Sequence, residues 1–171
     1  KIIVIEKKIS NKKCKITLVK TGIKTMTGGR VKQIGHLIPS NEFFLTYGDG
    51  LSNVNIKKLE KFHKKNKKII TVTAVNLTSR FGEIKTRGNQ VISFEEKKKI
   101  KNVWINGGFF VVNKTFLKYL KSNSTILEKE PLEKMAQINQ LNAFKHKGFW
   151  ECVDTKRDRD YLNNLFKNKM L

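Results

Sequence analysis

The sequence has little cysteine and little proline, and it lacks any long apolar run. Its two cysteines, Cys14 and Cys152, show neither a CxxC spacing nor the Cys/His spacing of a zinc site. This pattern fits a reducing compartment such as the cytoplasm better than it fits a disulfide framework. No stretch of about 18 apolar residues occurs that could cross a membrane. With two prolines and no Ser/Gly-rich linker, residues 1–171 are predicted to form a single domain.

Arginine is also scarce for so basic a protein. The formal net charge is +22, yet five of the 36 basic residues are Arg and the others are Lys, spread over nearly every segment. Proteins that read nucleic-acid bases rely on Arg forks and on aromatic platforms, and neither is concentrated here. The charge therefore predicts no specific nucleic-acid partner. It stays compatible with a polyanionic small substrate.

What the sequence does contain is an alternation of strand-like and helix-like segments. Thr27 and Asn55 are each predicted to cap a helix. A third helical pattern has Pro131 at its start, and a fourth covers residues 158–166. The strand-like segments are residues 15–19, 43–46, 69–75, 90–95, 103–112 and 141–146. Strands that alternate with helices predict an α/β domain, with a mostly parallel mixed sheet and helices on both faces.

An acidic turn follows the apolar segment 43–46. The chain continues there as Tyr47-Gly48-Asp49-Gly50. The carboxyl ends of strands face the ligand crevice in open α/β sheets, so Asp49 could meet a substrate or a cation. The two glycines would let the backbone approach a ligand closely. Equally, Asp49 could hydrogen-bond its own loop as an ordinary turn residue.

A second acidic residue, Asp154, ends the apolar segment 148–153 just before the last helical pattern. Taken alone, it is interpreted as the N-cap of that helix. Protein-bound Mg²⁺ is usually held by one or two carboxylates together with substrate phosphates. Paired with Asp49, Asp154 therefore also supports the hypothesis of a metal site.

Three further segments allow a functional and a plain structural interpretation. Residues 25–30 place two glycines and a hydroxyl at a helix start, which could meet an anion or be a simple capped helix. Asn106-Gly107-Gly108 interrupts an apolar strand, either as a bulge or as a close approach to a ligand. Residues 95–97, Glu-Glu-Lys, could bind hydroxyl and phosphate groups or be a charged strand exit.

Taken in order, these segments resemble the sugar-nucleotide pyrophosphorylase superfamily and, within it, glucose-1-phosphate cytidylyltransferases. The resemblance extends from about residue 18 onward. Its motifs are MTGGR at 26–30, TYGDG at 46–50, RFG at 80–82, WINGGFF at 104–110, EPL at 130–132, GFW at 148–150 and DT at 154–155. It implies a Rossmann-like nucleotidyltransferase fold and a Mg²⁺-dependent transfer of a cytidylyl group from CTP to α-D-glucose 1-phosphate. The products would be CDP-glucose and pyrophosphate.

The resemblance also implies roles for particular residues. Asp49 and Asp154 match the two catalytic aspartates that bind Mg²⁺. The positions matched to nucleotide contacts are Thr25, Arg30 and Gly48. The positions matched to the region that holds the sugar phosphate are Gly82, Glu96, Lys97 and Asn106. The enzyme would be cytoplasmic, would serve nucleotide-sugar synthesis for O-antigen or lipopolysaccharide, and would form a homo-oligomer at full length.

The sequence also departs from this family. The first strand, the Gly-rich GGxGTRL loop and a following Lys, which cradle the triphosphate, are absent from residues 1–171, so we expect this chain alone to be inactive. Lys98 replaces the proline of the usual Glu-Lys-Pro. Two alternatives stay open: a nucleotidyltransferase for another nucleotide or sugar phosphate, and a non-catalytic basic domain that binds RNA or anionic surfaces.

Overall fold

The computed structural model describes residues 2–9, 12–78, 82–96 and 99–168. Its contacts divide the chain into two compact units. The first comprises Lys1–Phe43 and Asn113–Gln140, and the second comprises Phe44–Val112 and Leu141–Leu171. The single nucleotidyltransferase domain stays a prediction.

The first unit begins with a β-hairpin and continues with short helices. Strands β1 (Ile2–Ile9) and β2 (Lys12–Val19) pair antiparallel. Helix α1 (Thr27–Ile34) leads into a 3-10 turn (Gly35–Leu37), and a second 3-10 helix (Lys114–Tyr119) precedes α3 (Glu130–Gln137). The apolar side chains buried in this unit are Val31, Phe116, Leu120, Leu127 and Met135.

The predicted cap of α1 is wrong. The N-cap position is Met26, whose side chain makes no capping hydrogen bond. Thr27 lies inside the helix, and its Oγ1 accepts from the Leu127 N–H at 2.9 Å and donates to Glu128 at 2.8 Å. The hydroxyl thus serves a tertiary contact with a segment 100 residues away in the chain, which a local pattern does not reveal.

The four-stranded sheet has the order β3-β8-β5-β9 and, apart from the ends of β3 and β8, lies in the second unit. Its strands are β3 (Glu42–Thr46), β5 (Ile70–Thr78), β8 (Lys99–Asn113) and β9 (Leu141–His146). β5 pairs parallel with β9 and antiparallel with β8. The predicted α/β class with a mixed sheet is confirmed. All four strands fall where the sequence predicts them, with bounds that differ by a few residues.

Helix α2 (Ile56–Asn66) packs on β5 and β9. Asn55 caps it as predicted, because its side chain accepts from the Lys58 N–H at 2.9 Å. Leu59 is completely buried, and burying a leucine side chain contributes about 1.5–3 kcal/mol. Phe62 meets Phe144 of β9 edge-on, with ring centroids 5.5 Å apart.

Two small ribbons and a final helix complete the second unit. β6 (Glu83–Arg87) and β7 (Gln90–Glu95) form an antiparallel hairpin, in which β7 has its predicted bounds. β4 (Gly50–Ser52) and β10 (Trp150–Cys152) form a second antiparallel pair. Helix α4 covers Lys156–Lys167, so it begins two residues earlier and ends one residue later than predicted. No helix in the described part of the chain is long and apolar enough to span a membrane.

Candidate functional site

The β4/β10 ribbon brings Asp49 and Asp154 together. Because the strands run antiparallel, the residue before β4 and the residues after β10 meet at one end, where the Val153 N–H donates to the Asp49 carbonyl at 2.9 Å. The carboxylates of Asp49 and Asp154 and the thiol of Cys152 then form a cluster whose ligand atoms lie within 4.8 Å of one another. Both aspartates are exposed and Cys152 is half-buried.

The interpretation of Asp154 as a helix cap is wrong. Thr155 caps α4, because its Oγ1 accepts from the Asp158 N–H at 3.2 Å. Asp158 Oδ2 in turn accepts from the N–H groups of Thr155, at 2.9 Å, and of Asp154, at 3.2 Å. The carboxylate of Asp154 instead accepts a hydrogen bond from the Cys152 thiol, with an Sγ–Oδ1 distance of 3.3 Å. Its side chain thus belongs to the acidic cluster.

The electrostatics of the cluster favour a positive ion. Burial raises the pKa of Cys152 to about 11, helped by the hydrogen bond to Asp154 and by the charges of Asp49, Asp154 and Asp158. The thiol is therefore protonated at neutral pH, as its donor role requires. Two neighbouring carboxylates repel each other, and a cation between them relieves that repulsion. Carboxylate oxygens are also the ligands that hard divalent cations prefer, so this donor set fits such an ion.

A cavity of about 260 Å³ adjoins the cluster. Asp49 and its two flanking glycines form one side, and helix α4 contributes Arg159 and Asn163 to the other. A Cβ added at Gly48 would meet no atom within 4 Å. Among the residues that the structure describes, no side chain therefore covers the backbone before Asp49.

Asn106 is held by a network of hydrogen bonds that includes Tyr47, a residue for which the sequence suggested no role. The Tyr47 hydroxyl accepts from Asn106 Nδ2 at 3.2 Å, and Asn106 Oδ1 accepts from the Gly108 N–H at 2.9 Å. The ring of Tyr47 also meets Phe110 edge-on at 5.8 Å. Both ends of the Asn106 amide are thereby oriented. The one sequence signal for Tyr47 is its place directly before the Gly-Asp-Gly turn.

The glycines after Asn106 form a bulge, one of the two alternatives that the sequence left open. The register of β5 against β8 shifts between Val72 and Ala74, opposite residues 106–110. Gly108 adopts φ +77°, which favours glycine, and a Cβ there would lie 2.7 Å from the Tyr47 ring. Gly107 has no room for a side chain either, and its carbonyl accepts from Trp150 Nε1 at 2.8 Å. This bond ties β10, and with it the Asp154 turn, to the central strand β8.

In the first unit, Thr25 and Arg30 are brought together by Thr21. The buried Thr25 hydroxyl donates to the Thr21 carbonyl at 2.5 Å, and Arg30 Nη1 donates to the Thr21 hydroxyl at 2.5 Å. Arg30 Nη2 also donates to the Ile23 carbonyl at 3.4 Å. The guanidinium is exposed at this turn.

The glycines at the start of α1 serve close packing. A Cβ on Gly29 would lie 2.5 Å from the carbonyl oxygen of Asn123, and one on Gly28 would lie 2.8 Å from the Thr125 side chain. The Gly29 N–H donates to the Thr125 carbonyl, and the Met26 N–H donates to that of Asn123. Two N–H groups at the start of α1, where the sequence suggested an anion site, thus bond to the carbonyls of Asn123 and Thr125 instead.

The residues matched to the sugar-phosphate region are described in part. Gly82 and Glu96 adjoin each other at the base of the β6/β7 hairpin, where a Cβ on Gly82 would lie 3.0 Å from Glu96 Oε2. Phe94 also covers Gly82. Lys97 lies outside the described residues, as do Arg80 and Phe81 of the RFG motif.

Comparison with known proteins decides the family. Residues 6–162 match the family model described as "Nucleotidyl transferase". The chain belongs to the nucleotidyl transferase family. Members of this family generally use a divalent metal, in agreement with the donor set of the acidic cluster.

The similarity to individual members of the nucleotidyl transferase family is substantial. A glucose-1-phosphate cytidylyltransferase of Salmonella typhimurium is 44% identical over 153 residues, which are 89% of this chain and 60% of that protein. A "Probable glucose-1-phosphate cytidylyltransferase" of Bacillus subtilis is 39% identical over 157 residues, 91% of this chain and 59% of that protein. The chain therefore spans about three fifths of the length of these relatives.

A solved structure shares the fold. The crystal structure of an apo UDP-glucose pyrophosphorylase superposes with a TM-score of 0.63 at 15% identity, covering 90% of this chain and 64% of that one. This likeness confirms the predicted nucleotidyltransferase fold.

Proposed function

We propose that this nucleotidyl transferase carries the metal-binding part of a glucose-1-phosphate cytidylyltransferase. The reaction joins CTP and α-D-glucose 1-phosphate to CDP-glucose and releases pyrophosphate. The observation that carries the proposal is the proximity of the Asp49 and Asp154 carboxylates at the end of the β4/β10 ribbon. The similarity to the two cytidylyltransferases supports the choice of substrates over another nucleotide or sugar.

The chemistry requires alignment and charge neutralisation more than proton transfer. The oxygen of the sugar phosphate is already an anionic nucleophile at neutral pH, so no general base is needed. Holding the two reactants in line then supplies much of the rate acceleration. Mg²⁺, when bound, neutralises the charge that the α-phosphate and the sugar phosphate share. In this proposal Asp49 and Asp154 hold that ion through their carboxylate oxygens.

The nucleotide is positioned by Thr25, Arg30 and Gly48. Arg30 presents a guanidinium, which binds the oxygens of a phosphate or of a base through charge-assisted hydrogen bonds. Gly48 lets a ligand approach the backbone beside Asp49, because no side chain fills that space. The buried Thr25 supports this role indirectly, since its hydroxyl and the Arg30 guanidinium share Thr21.

The sugar phosphate is held by Gly82, Glu96, Lys97 and Asn106. Glu96 provides a carboxylate that accepts from sugar hydroxyls, and Lys97 provides an ammonium for the phosphate. Asn106 offers an amide whose orientation the contacts with Tyr47 and Gly108 support.

The proposal also covers cellular context. We place the enzyme in the cytoplasm, where nucleoside triphosphates are available. CDP-glucose would serve nucleotide-sugar synthesis for O-antigen or lipopolysaccharide. The full protein would be a homo-oligomer.

A pyrophosphate-release assay with CTP, glucose 1-phosphate and Mg²⁺ tests the proposal. The assay compares residues 1–171 with the longest product of the same gene, and each of these with its Asp49→Asn variant. We expect turnover by the longer product and none by residues 1–171. In the longer product, Asp49→Asn should lower kcat by at least about 100-fold, because the neutral amide no longer holds the cation.

Other outcomes separate the alternatives. Turnover with a different nucleotide or sugar phosphate would support the metal-binding role of the two aspartates but would replace the proposed substrates. A folded protein that is silent with every nucleotide, and whose retention on RNA falls steeply with salt, would support the non-catalytic basic domain instead.

A further inference from the structure

We propose that Cys152 acts as a third metal ligand beside Asp49 and Asp154. With its thiol, the cluster binds a thiophilic divalent cation of the Zn²⁺ class, and this cation competes with Mg²⁺. The inference rests on the proposed function in one respect, the use of both aspartates as cation ligands. It goes beyond that function because neither the sequence pattern nor the proposed reaction gives Cys152 a role. Its consequence is a soft-metal site that blocks the catalytic one.

The geometry of the cluster suits such an ion. Zinc binds sulfur at about 2.3 Å and carboxylate oxygen at about 2.0–2.2 Å, so two ligands of a tetrahedral site lie about 3.5 Å apart. Cys152 Sγ and Asp154 Oδ1 are 3.3 Å apart. The ligand atom of Asp49 lies within 4.8 Å of both. In the proposed site the carboxylate of Asp49, which is exposed, turns toward the ion and provides the third ligand.

The donor types decide which ions use the thiol. Mg²⁺ takes oxygen ligands in near-octahedral geometry and gains little from sulfur. Zn²⁺ and Cd²⁺ form strong bonds to thiolate, and a site with three protein ligands keeps a fourth position for water or a substrate oxygen. On binding, the metal takes the place of the thiol proton that Cys152 now donates to Asp154, and that proton leaves to solvent.

The chain provides its own control. In the part of the chain that the structure describes, one group of at least three His, Cys, Asp or Glu side chains has metal-ligand spacing, and it is this one. Cys14, the other free cysteine, lies on the β1/β2 hairpin, where its thiol contacts the Lys12 carbonyl at 3.8 Å. A general affinity of thiols for soft metals would therefore appear at both cysteines, whereas the proposed site requires Cys152.

The test is a Cd²⁺ titration of the 171-residue chain, followed by the ultraviolet thiolate-to-Cd²⁺ charge-transfer band. We expect the band in the unmodified chain and in Cys14→Ser, and its loss in Cys152→Ser together with at least a roughly tenfold weaker Cd²⁺ affinity. Mn²⁺, which prefers oxygen ligands as Mg²⁺ does, is titrated in parallel by electron paramagnetic resonance. It should bind Cys152→Ser as well as the unmodified chain, and Cd²⁺ should displace it.

The outcomes separate this inference from the proposed function. A band that persists in Cys152→Ser or disappears in Cys14→Ser would overturn the inference, and so would equal Cd²⁺ affinities of Cys152→Ser and the unmodified chain. If the gene product turns over with Mg²⁺ while no Cd²⁺–thiolate band forms, the inference alone is wrong. If the band forms but no substrate is turned over, the proposed function alone fails. Far-ultraviolet circular dichroism of each variant confirms that the fold is intact.

Discussion

The backbone N–H of Val153 donates to the carbonyl of Asp49 at 2.9 Å, directly beyond the last pair of the β4/β10 ribbon. This single bond fixes the turn before β4 against the turn after β10. The positions of the two proposed metal ligands, Asp49 and Asp154, therefore depend on how firmly the β4/β10 ribbon is anchored, since each of its strands has three residues. Its anchor is the Trp150 indole, which bonds the Gly107 carbonyl of the central strand β8.

Trp150→Phe should loosen this anchor. The substitution keeps most of the apolar contact but removes the N–H that Gly107 accepts, so we expect a loss of about 0.5–1.5 kcal/mol in the free energy of unfolding. Urea denaturation measures the loss. Trp104→Phe is the matched control, because the described contact of Trp104 is a Lys145 ammonium over its ring at 5.1 Å and phenylalanine keeps an aromatic face. Equal effects of the two substitutions would show that the indole N–H is not the anchor.

Thr155→Ala should destabilise helix α4. Thr155 and Asp158 form a reciprocal capping box, and removing the hydroxyl leaves the Asp158 N–H without its cap. The expected cost is about 1 kcal/mol in the free energy of unfolding. Thr155→Ser retains the hydroxyl and should cost a few tenths of a kcal/mol at most. If both variants unfold at the same urea concentration, the cap contributes nothing.

Gly29→Ala should be destabilising although alanine is the better helix former. A Cβ at this position would lie 2.5 Å from the Asn123 carbonyl oxygen, so the 122–127 segment must shift. We expect a cost of about 1–3 kcal/mol, measured by thermal or urea unfolding. Gly48→Ala is the contrasting variant, because its Cβ enters open space and should leave stability unchanged. In the proposed function the same Cβ obstructs the nucleotide, so Gly48→Ala should weaken the protection from heat that CTP gives.

The helices and the four strands of the sheet could be predicted from the sequence, whereas the eight-residue β1, the five-residue β6 and the three-residue β4 and β10 were not predicted. A segment such as β9 carries enough apolar residues to show its period, and Asn55 is an isolated cap residue before a clear amphipathic helix. Strands β4 and β10, with three residues each, are too short to show any alternation. The cap of α1 was misplaced because the Thr27 hydroxyl bonds Leu127 and Glu128 instead of the helix, and the cap of α4 because Asp154 directly precedes Thr155, which caps that helix. The α4 cap did carry a local signal, because Thr155 and Asp158 have the spacing of a capping box.

The residues of the candidate site were likewise predictable from the sequence only in part. The positions of Asp49 and Asp154 at the ends of apolar segments, together with the resemblance to cytidylyltransferases, pointed to the pair, whereas the ribbon that joins them became visible in the structure. Cys152 and Tyr47 were missed because their importance comes from what they touch, an Asp154 carboxylate and an Asn106 amide. Tyr47 and Asn106 are 59 residues apart in the chain, so no local pattern links them, and the contact of Cys152 with Asp154 depends on how the chain turns after β10.

The Glu60–Lys64 pair on α2 gives a prediction about pH. The hydrogen bond from Lys64, reinforced by its charge, lowers the pKa of Glu60 below its usual value of 4.5. Because the folded-state pKa is lowered, the pair stabilises the protein above the unfolded pKa, and this contribution is lost as pH falls through the folded value. Nuclear magnetic resonance titration should therefore show a Glu60 midpoint below 4.5, which Lys64→Gln raises. An unchanged midpoint would mean that the pair is not formed in solution.

Tyr47→Phe tests whether Tyr47 is a positioning residue for the sugar phosphate. In the proposed function Asn106 contacts the sugar phosphate, and the Tyr47 hydroxyl accepts from its amide at 3.2 Å. Without the hydroxyl the amide loses one of the two contacts that orient it, while the ring still packs on Phe110. A net hydrogen bond of about 0.5–1.5 kcal/mol predicts a KM for glucose 1-phosphate that rises about two- to thirteenfold, with the KM for CTP unchanged. Steady-state kinetics of the longest gene product measure both constants.

The matched control for Tyr47→Phe is Tyr119→Phe, which removes a hydroxyl from a tyrosine stacked on Phe116 in the first unit. It should leave both KM values unchanged. A Tyr47→Phe variant that lowers kcat and leaves the KM for glucose 1-phosphate unchanged would place the hydroxyl in the transition state rather than in substrate binding. Equal rises in both KM values would instead indicate that the turn at Gly48 has moved, because a displaced Tyr47 shifts the backbone on which the nucleotide and the metal both depend.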